Sequence, residues 1–150
     1  MAGDFLSVIS NQAIKLEIEG YLFAPFIGFN ANSENFPVLA TEVPTLQNGR
    51  LRVTDIGGGK KRLEMDLTIR PDAKWSDGKP ITTEDVQFYF EVGKAKGMPV
   101  LNPDYWERVN LRVKDARNFT VIFEPAYYYD TYGTPIGYAP STSWGPSGRR

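Results

Sequence analysis

The residues of this chain best suited to chemistry are carboxylates. Asp77, Glu84 and Asp85 fall within the run Lys74-Trp75-Ser76-Asp77-Gly78-Lys79-Pro80-Ile81-Thr82-Thr83-Glu84-Asp85-Val86. Two acids divide the roles of proton donor and acceptor only when their surroundings push their pKa values apart over a shared substrate. Asp77 and Asp85 stand eight positions apart across a turn and a helix start, and no spacing cue turns them toward one another. Structural duty suits them better. Asp77-Gly78 reads as a tight turn, with a carboxylate that bonds nearby backbone N–H groups and a glycine that tolerates positive φ. Thr82 is placed to cap a helix, Asp85 to return a hydrogen bond to the cap, and Glu84 and Asp85 to complement the helix dipole.

Other chemistries are narrowed by what the sequence lacks. It contains no histidine and no cysteine. Ser-His and Cys-His pairs, histidine-zinc and thiolate metal sites, and disulfides are therefore excluded within it. No catalytic residue, no metal ligand set and no cofactor is expected, and the chain is not read as an enzyme. Gly57-Gly58-Gly59-Lys60-Lys61 lacks the G-x-x-x-x-G-K-[ST] spacing of a phosphate loop, and no helix follows it, so it is a hairpin turn. The aromatic run Tyr127-Tyr128-Tyr129-Asp130-Thr131-Tyr132 offers rings that can stack on sugars. A free-standing carbohydrate-binding module is accordingly the alternative reading, set against rings that once packed on another part of a larger protein.

The elements that position these residues follow from periodicity. With 150 residues, 41% of them hydrophobic, the chain suits one globular core. Seventeen basic and eighteen acidic residues leave a net charge of -1, which provides no strong field toward nucleic acid or anionic membrane. Phe5, Val8, Ile9, Ala13 and Leu16 recur at near-helical spacing from Asp4 to about Gly20. Phe26–Phe29 suits a short strand before the polar turn 30–35, and the proline-bracketed segment Pro37–Pro44 holds one helical turn at most. Leu51–Ile56 and Arg62–Arg70 alternate apolar and polar residues about the glycine turn, as do Val109–Val113 and Phe119–Phe123 about Lys114–Asn118. A helix begins after Thr82, with Val86, Tyr89, Phe90 and Gly93 on one face. The fold class is α+β: an antiparallel sheet of two hairpins with two main helices packed on it. Residues 1–140 form the domain, and the Pro-, Gly- and Ser-rich residues 141–150 a flexible tail.

The order of residues around the Asp-Gly turn resembles the extracytoplasmic solute-binding proteins that feed oligopeptide, dipeptide and nickel ABC importers, family 5. Members have a strand ending in Leu-x-x-Arg, a Lys-Phe/Trp-x-Asp-Gly-x-Pro turn and a Thr-x-x-Asp-Val helix start. Leu67, Arg70, Lys74, Trp75, Asp77, Gly78, Pro80, Thr82, Asp85 and Val86 match this pattern. Glu19-Gly20-Tyr21-Leu22 resembles the family's Glu-Gly-Leu helix end, and Pro37-Val38-Leu39-Ala40-Thr41-Glu42-Val43-Pro44 its Pro-x-Leu-Ala segment. The resemblance implies the small domain of a periplasmic-binding-protein type II fold, cut from a longer, two-lobed protein located in the periplasm or outside the cell at the membrane. It implies capture of peptides or related solutes for import, with an ABC permease and the remaining lobes of the same protein as partners. It also places solute contacts in the segment after the Thr-capped helix, which points to Tyr105 and Trp106 as ligand-binding residues. An isolated piece of this kind is expected to bind solute weakly or not at all and to self-associate through its exposed interlobe face.

Overall fold

A computed structural model of the chain describes residues 24–32, 34–100 and 102–127. The expected N-terminal helix, the tail 141–150 and the tyrosines beyond Tyr127 lie outside the described residues. The elements are β1 (Ile27–Phe29), β2 (Asn35–Pro37), β3 (Leu51–Gly57), β4 (Lys60–Thr68), α1 (Thr83–Lys94), α2 (Pro103–Arg108), β5 (Val109–Val113) and β6 (Asn118–Phe123).

Both expected hairpins form, and they join into one four-stranded antiparallel sheet in the order β3-β4-β6-β5. Strand character explains that order. From Phe119 to Phe123 every residue of β6 is buried, whereas β3 and β5 leave most of their residues exposed. A strand covered on both faces belongs in the middle of a sheet, and alternating strands belong at the edges. In the register, Leu63, Met65 and Leu67 face Phe123, Val121 and Phe119 across the β4–β6 ladder. Val109, Leu111 and Val113 continue the same rows on β5. These rows make the inner face of the sheet. The β3–β4 connection is tighter than the four-residue turn expected, with strand pairing continuing to Gly57 and Lys60 around Gly58-Gly59. Gly57, Gly58 and Gly59 all have positive φ, at 86°, 61° and 73°, a path that residues with a Cβ resist.

The helices cover the inner face. Val86, Tyr89, Phe90 and Gly93 of α1 are buried, as the spacing predicts, and with Tyr105 and Trp106 of α2 they share one core with the sheet. The small hairpin β1–β2 was only half visible in the sequence: the strand at β1 was expected, its partner Asn35–Pro37 was not. Asn30 shapes the connection by accepting the N–H groups of Asn32 and Glu34 on its side-chain oxygen, both at 2.9 Å. The hairpin docks at one end of the sheet, where the Phe26 and Phe119 rings meet edge to face at 5.3 Å. The segment after β2 does not make a helical turn. It pairs with the end of β4 instead, with Ala40 opposite Ile69, Thr41 N–H donating to Thr68 O at 2.9 Å and Arg70 N–H donating to Leu39 O at 2.9 Å.

Candidate functional site

The turn that carries Asp77 is built by the backbone. Trp75 N–H donates to Lys79 O at 2.8 Å, Gly78 N–H to Trp75 O at 2.9 Å, and Lys79 N–H to the Asp77 carboxylate at 3.0 Å. That last bond holds the Asp77 carboxyl below its ordinary pKa. Gly78 takes the positive φ, 84°, that closes the turn. Ile81 N–H then donates to Ala73 O at 3.0 Å, so the chain leaves the turn beside the point where it entered.

Asp85 occupies a different environment. Thr82 N–H donates to its carboxylate at 2.8 Å, which closes the capping box of α1. Burial raises the Asp85 pKa, and the Thr82 N–H and the Trp75 indole N–H, which faces the same carboxylate, offset part of that rise. The indole N–H falls short of hydrogen-bond geometry, so its influence is that of a nearby dipole. Thr83 completes the joint by donating its hydroxyl to Asp115 O at 2.7 Å, which fastens the helix start to the β5–β6 turn. Asp77 is exposed and Asp85 buried, each satisfied by its own backbone partner. The structure thus gives both acids the structural roles that their spacing suggests.

The segment after α1, where the resemblance places solute contacts, forms the short helix α2. Asn102 caps it by accepting Tyr105 N–H at 3.2 Å, and Pro103 opens its first turn, where a missing N–H costs nothing. Tyr105 and Trp106 project from α2 into the core, at 5% and 6% exposure. Their rings meet edge to face at 5.1 Å, Trp106 packs on Tyr89 at 5.5 Å and on Phe90 at 5.9 Å, and Tyr105 packs on Phe123 at 5.8 Å. Gly93 of α1 lies flat beneath the indole, where a Cβ would come within 2.3 Å of ring carbons. Both side chains therefore spend their aromatic faces on neighbouring rings, and neither presents an open face on which a solute could stack. At the end of α2 the buried Arg108 guanidinium donates to Asp104 at 2.9 Å and to Pro125 O at 2.9 Å, and lies 4.0 Å from the centre of the Tyr127 ring.

The most strongly perturbed titrating groups lie elsewhere, on the outer face of the sheet, and no motif singles them out in the sequence. Asp66 of β4 accepts from Arg52 at 2.7 Å, from Lys114 at 3.0 Å and from the Thr120 hydroxyl at 2.5 Å. Burial opposes ionisation of Asp66, but these three donors together hold its pKa well below the usual carboxylate range. Arg52 is held in its charged form by the same bond to Asp66. It also reaches Glu64 at 3.1 Å, and Arg112 of β5 lies 3.7 Å from the other oxygen of Glu64. Strand alternation supplies the signal in retrospect, since positions 52, 64, 66, 112 and 120 all fall on the face opposite the core. Each carboxylate oxygen of Asp66 already has a cation or hydroxyl donor. The cluster is a cross-strand clamp rather than an open binding site. Among the described residues no group of acids could hold a metal ion, and no helix is long and apolar enough to cross a membrane.

With this geometry in place, comparison with known proteins identifies the lineage. The chain is 84% identical to the oligopeptide-binding protein of Thermus thermophilus, whose crystal structure was solved complexed with a pentapeptide. The two superpose with a TM-score of 0.89 over 98% of this chain and 24% of that one. The oligopeptide-binding protein AppA of Bacillus subtilis, solved in complex with a nonapeptide, shares the fold at 19% identity, with a TM-score of 0.62 over 91% of this chain and 25% of its own. The peptidoglycan-binding protein YepA of Agrobacterium fabrum is 50% identical over 42 residues, which are 28% of this chain and 7% of YepA. The chain thus spans about a quarter or less of the length of these relatives. The model of the bacterial extracellular solute-binding proteins, family 5 Middle, matches residues 60–146, more than half of the chain. By that match the chain belongs to the family 5 bacterial extracellular solute-binding proteins.

Proposed function

We propose that the chain is the small domain, residues 1–140, of a longer extracytoplasmic protein that captures peptides and delivers them to an ABC importer. The observation that carries this reading is the 84% identity, over 98% of the chain, to a protein solved with a pentapeptide. In this reading the domain is a non-enzymatic scaffold. Its acids are spent on caps, turns and the Asp66 clamp, and the solute lies in a cleft made mainly by the rest of the protein. Tyr105 and Trp106 serve by holding α2 against α1 and the sheet, so that the Asn102–Asp104 segment is presented in one geometry. The permease is met through the full-length protein. The carbohydrate-module alternative rested on the aromatic run, of which Tyr127 alone is described, and that ring lies against Arg108. Taken without its other lobes, the domain self-associates through apolar side chains left exposed.

Isothermal titration tests the central claim. The full-length protein is expected to give heat with a mixture of di- to pentapeptides, and this 150-residue chain none. Heat from oligosaccharides but not from peptides in the full-length protein would overturn the peptide reading, and micromolar peptide binding by the chain alone would overturn the claim that the cleft lies elsewhere. Trp106→Phe in the full-length protein should leave peptide affinity unchanged while lowering the melting temperature, which separates packing from solute contact.

A further inference from the structure

Asn48-Gly49 is the one Asn-Gly pair in the sequence. With no Cβ on the following residue, its backbone nitrogen can approach the asparagine carboxamide with the least hindrance. The side chain is exposed, so water is at hand for the chemistry that follows. Yet the carboxamide is held on every side. Its oxygen accepts Thr45 N–H at 2.9 Å and Arg50 N–H at 3.1 Å, and Asn48 N–H donates in return to the Thr45 hydroxyl at 3.1 Å. Its nitrogen donates to Val43 O at 2.9 Å and to Glu42 at 3.1 Å. Gly49 N–H, the group that must attack, is engaged with Leu46 O at 3.3 Å. Glu42 in turn pairs with Arg50 at 2.6 Å, just before β3 begins.

We propose that Asn48 is a deamidation site masked by the fold, reactive only when the 42–50 corner opens. In the reaction Gly49 N loses its proton and bonds to Asn48 Cγ, the Cγ–Nδ2 bond breaks, and the side-chain nitrogen leaves as ammonia with that proton. The resulting succinimide takes up one water and opens to an aspartyl or isoaspartyl residue at position 48. In the aspartyl product a carboxylate replaces the N–H donor and faces the Val43 carbonyl and the Glu42 carboxylate, and in the isoaspartyl product the backbone is rerouted through the former side chain, which removes the donor as well. Two attractions become repulsions, and Glu42 is pushed from Arg50. Deamidation is therefore a one-way release of the corner that leads into β3.

A reaction that needs local opening proceeds at its unfolded rate multiplied by the open fraction. Peptide mass mapping of position 48 in the folded chain, and in the same chain unfolded in urea, measures that fraction. The folded rate is expected to be at least about tenfold lower, which corresponds to an opening cost of about 1.4 kcal/mol. Glu42→Ala and Thr45→Ala should each raise the folded rate while cooperative melting is retained, and Thr45→Ser, which keeps the hydroxyl, should stay near the original rate. Equal folded and unfolded rates would overturn the proposal, as would a rate unchanged in a Glu42→Ala protein that still melts cooperatively.

Discussion

Gly93 shows most directly how a single residue determines packing here. Alanine is the better helix former by about 1 kcal/mol. At position 93, however, a methyl group would press into the face of the Trp106 ring, about 2.3 Å from its carbons. Overpacking of this kind costs about 1–3 kcal/mol. Gly93→Ala is therefore expected to lower the urea midpoint despite the gain in helix propensity, and a rise in that midpoint would show that α2 can shift at little cost. Trp106→Ala removes the other half of the contact and should cost about 3–5 kcal/mol, as large aromatic truncations in cores do. Asp85 supplies a test by pH. Its folded pKa is raised by burial, so its contribution is full below the unfolded value and declines as the pH rises through the folded one. Asp85→Asn keeps an oxygen to accept Thr82 N–H, so urea midpoints for the variant should lack that decline.

At the scale of elements, the outer-face clamp ties three strands through one carboxylate. Asp66 stands on β4, Arg52 on β3 and Thr120 on β6, with Lys114 just past the end of β5. Because the Asp66 pKa is depressed in the folded chain, the stability it contributes is present above the unfolded value of 3.8 and is lost as the pH falls through the lower, folded one. Asp66→Asn should remove much of the acid sensitivity of unfolding. Acid titrations of the two proteins that run parallel would show that the clamp contributes nothing. Asp66 and Asp85 therefore respond to pH in opposite senses, and the difference follows from their partners: three donors at Asp66 outweigh burial, and at Asp85 burial wins. The hairpins themselves were legible because β4 keeps a strict apolar alternation from Leu63 to Leu67, which Ile69 continues just past its end. The helix α2 was not legible, since six residues opened by a proline carry too little periodicity to show. β2 was missed for a similar reason: three residues ending in proline read as loop until β1 supplies the partner.

For the molecule as a whole, the exposed rings of Phe29 and Phe36, at 57% and 43%, lie on the β1–β2 hairpin at one end of the sheet. Apolar surface of this kind favours association. Light scattering over a range of concentrations is expected to show mass increasing with concentration, and Phe29→Ser with Phe36→Ser to suppress that increase. A strict monomer at high concentration would show that these rings are tolerated in water. Read alone, the sequence determined the family, the two hairpins, the capped helix and the absence of histidine or thiol chemistry. Each of these is written in short-range order: alternation, capping residues and an Asp-Gly turn act over a few positions. Only the tertiary structure decided that β4 and β6 share the centre of the sheet, that Asp66 gathers donors from three other segments, and that Tyr105 turns inward onto β6 and Trp106 onto α1. Those outcomes depend on partners up to dozens of residues away, and a side chain's role changes with what covers it. Adjacent aromatics that suggest a binding surface become packing once a glycine on the next helix makes room for the indole.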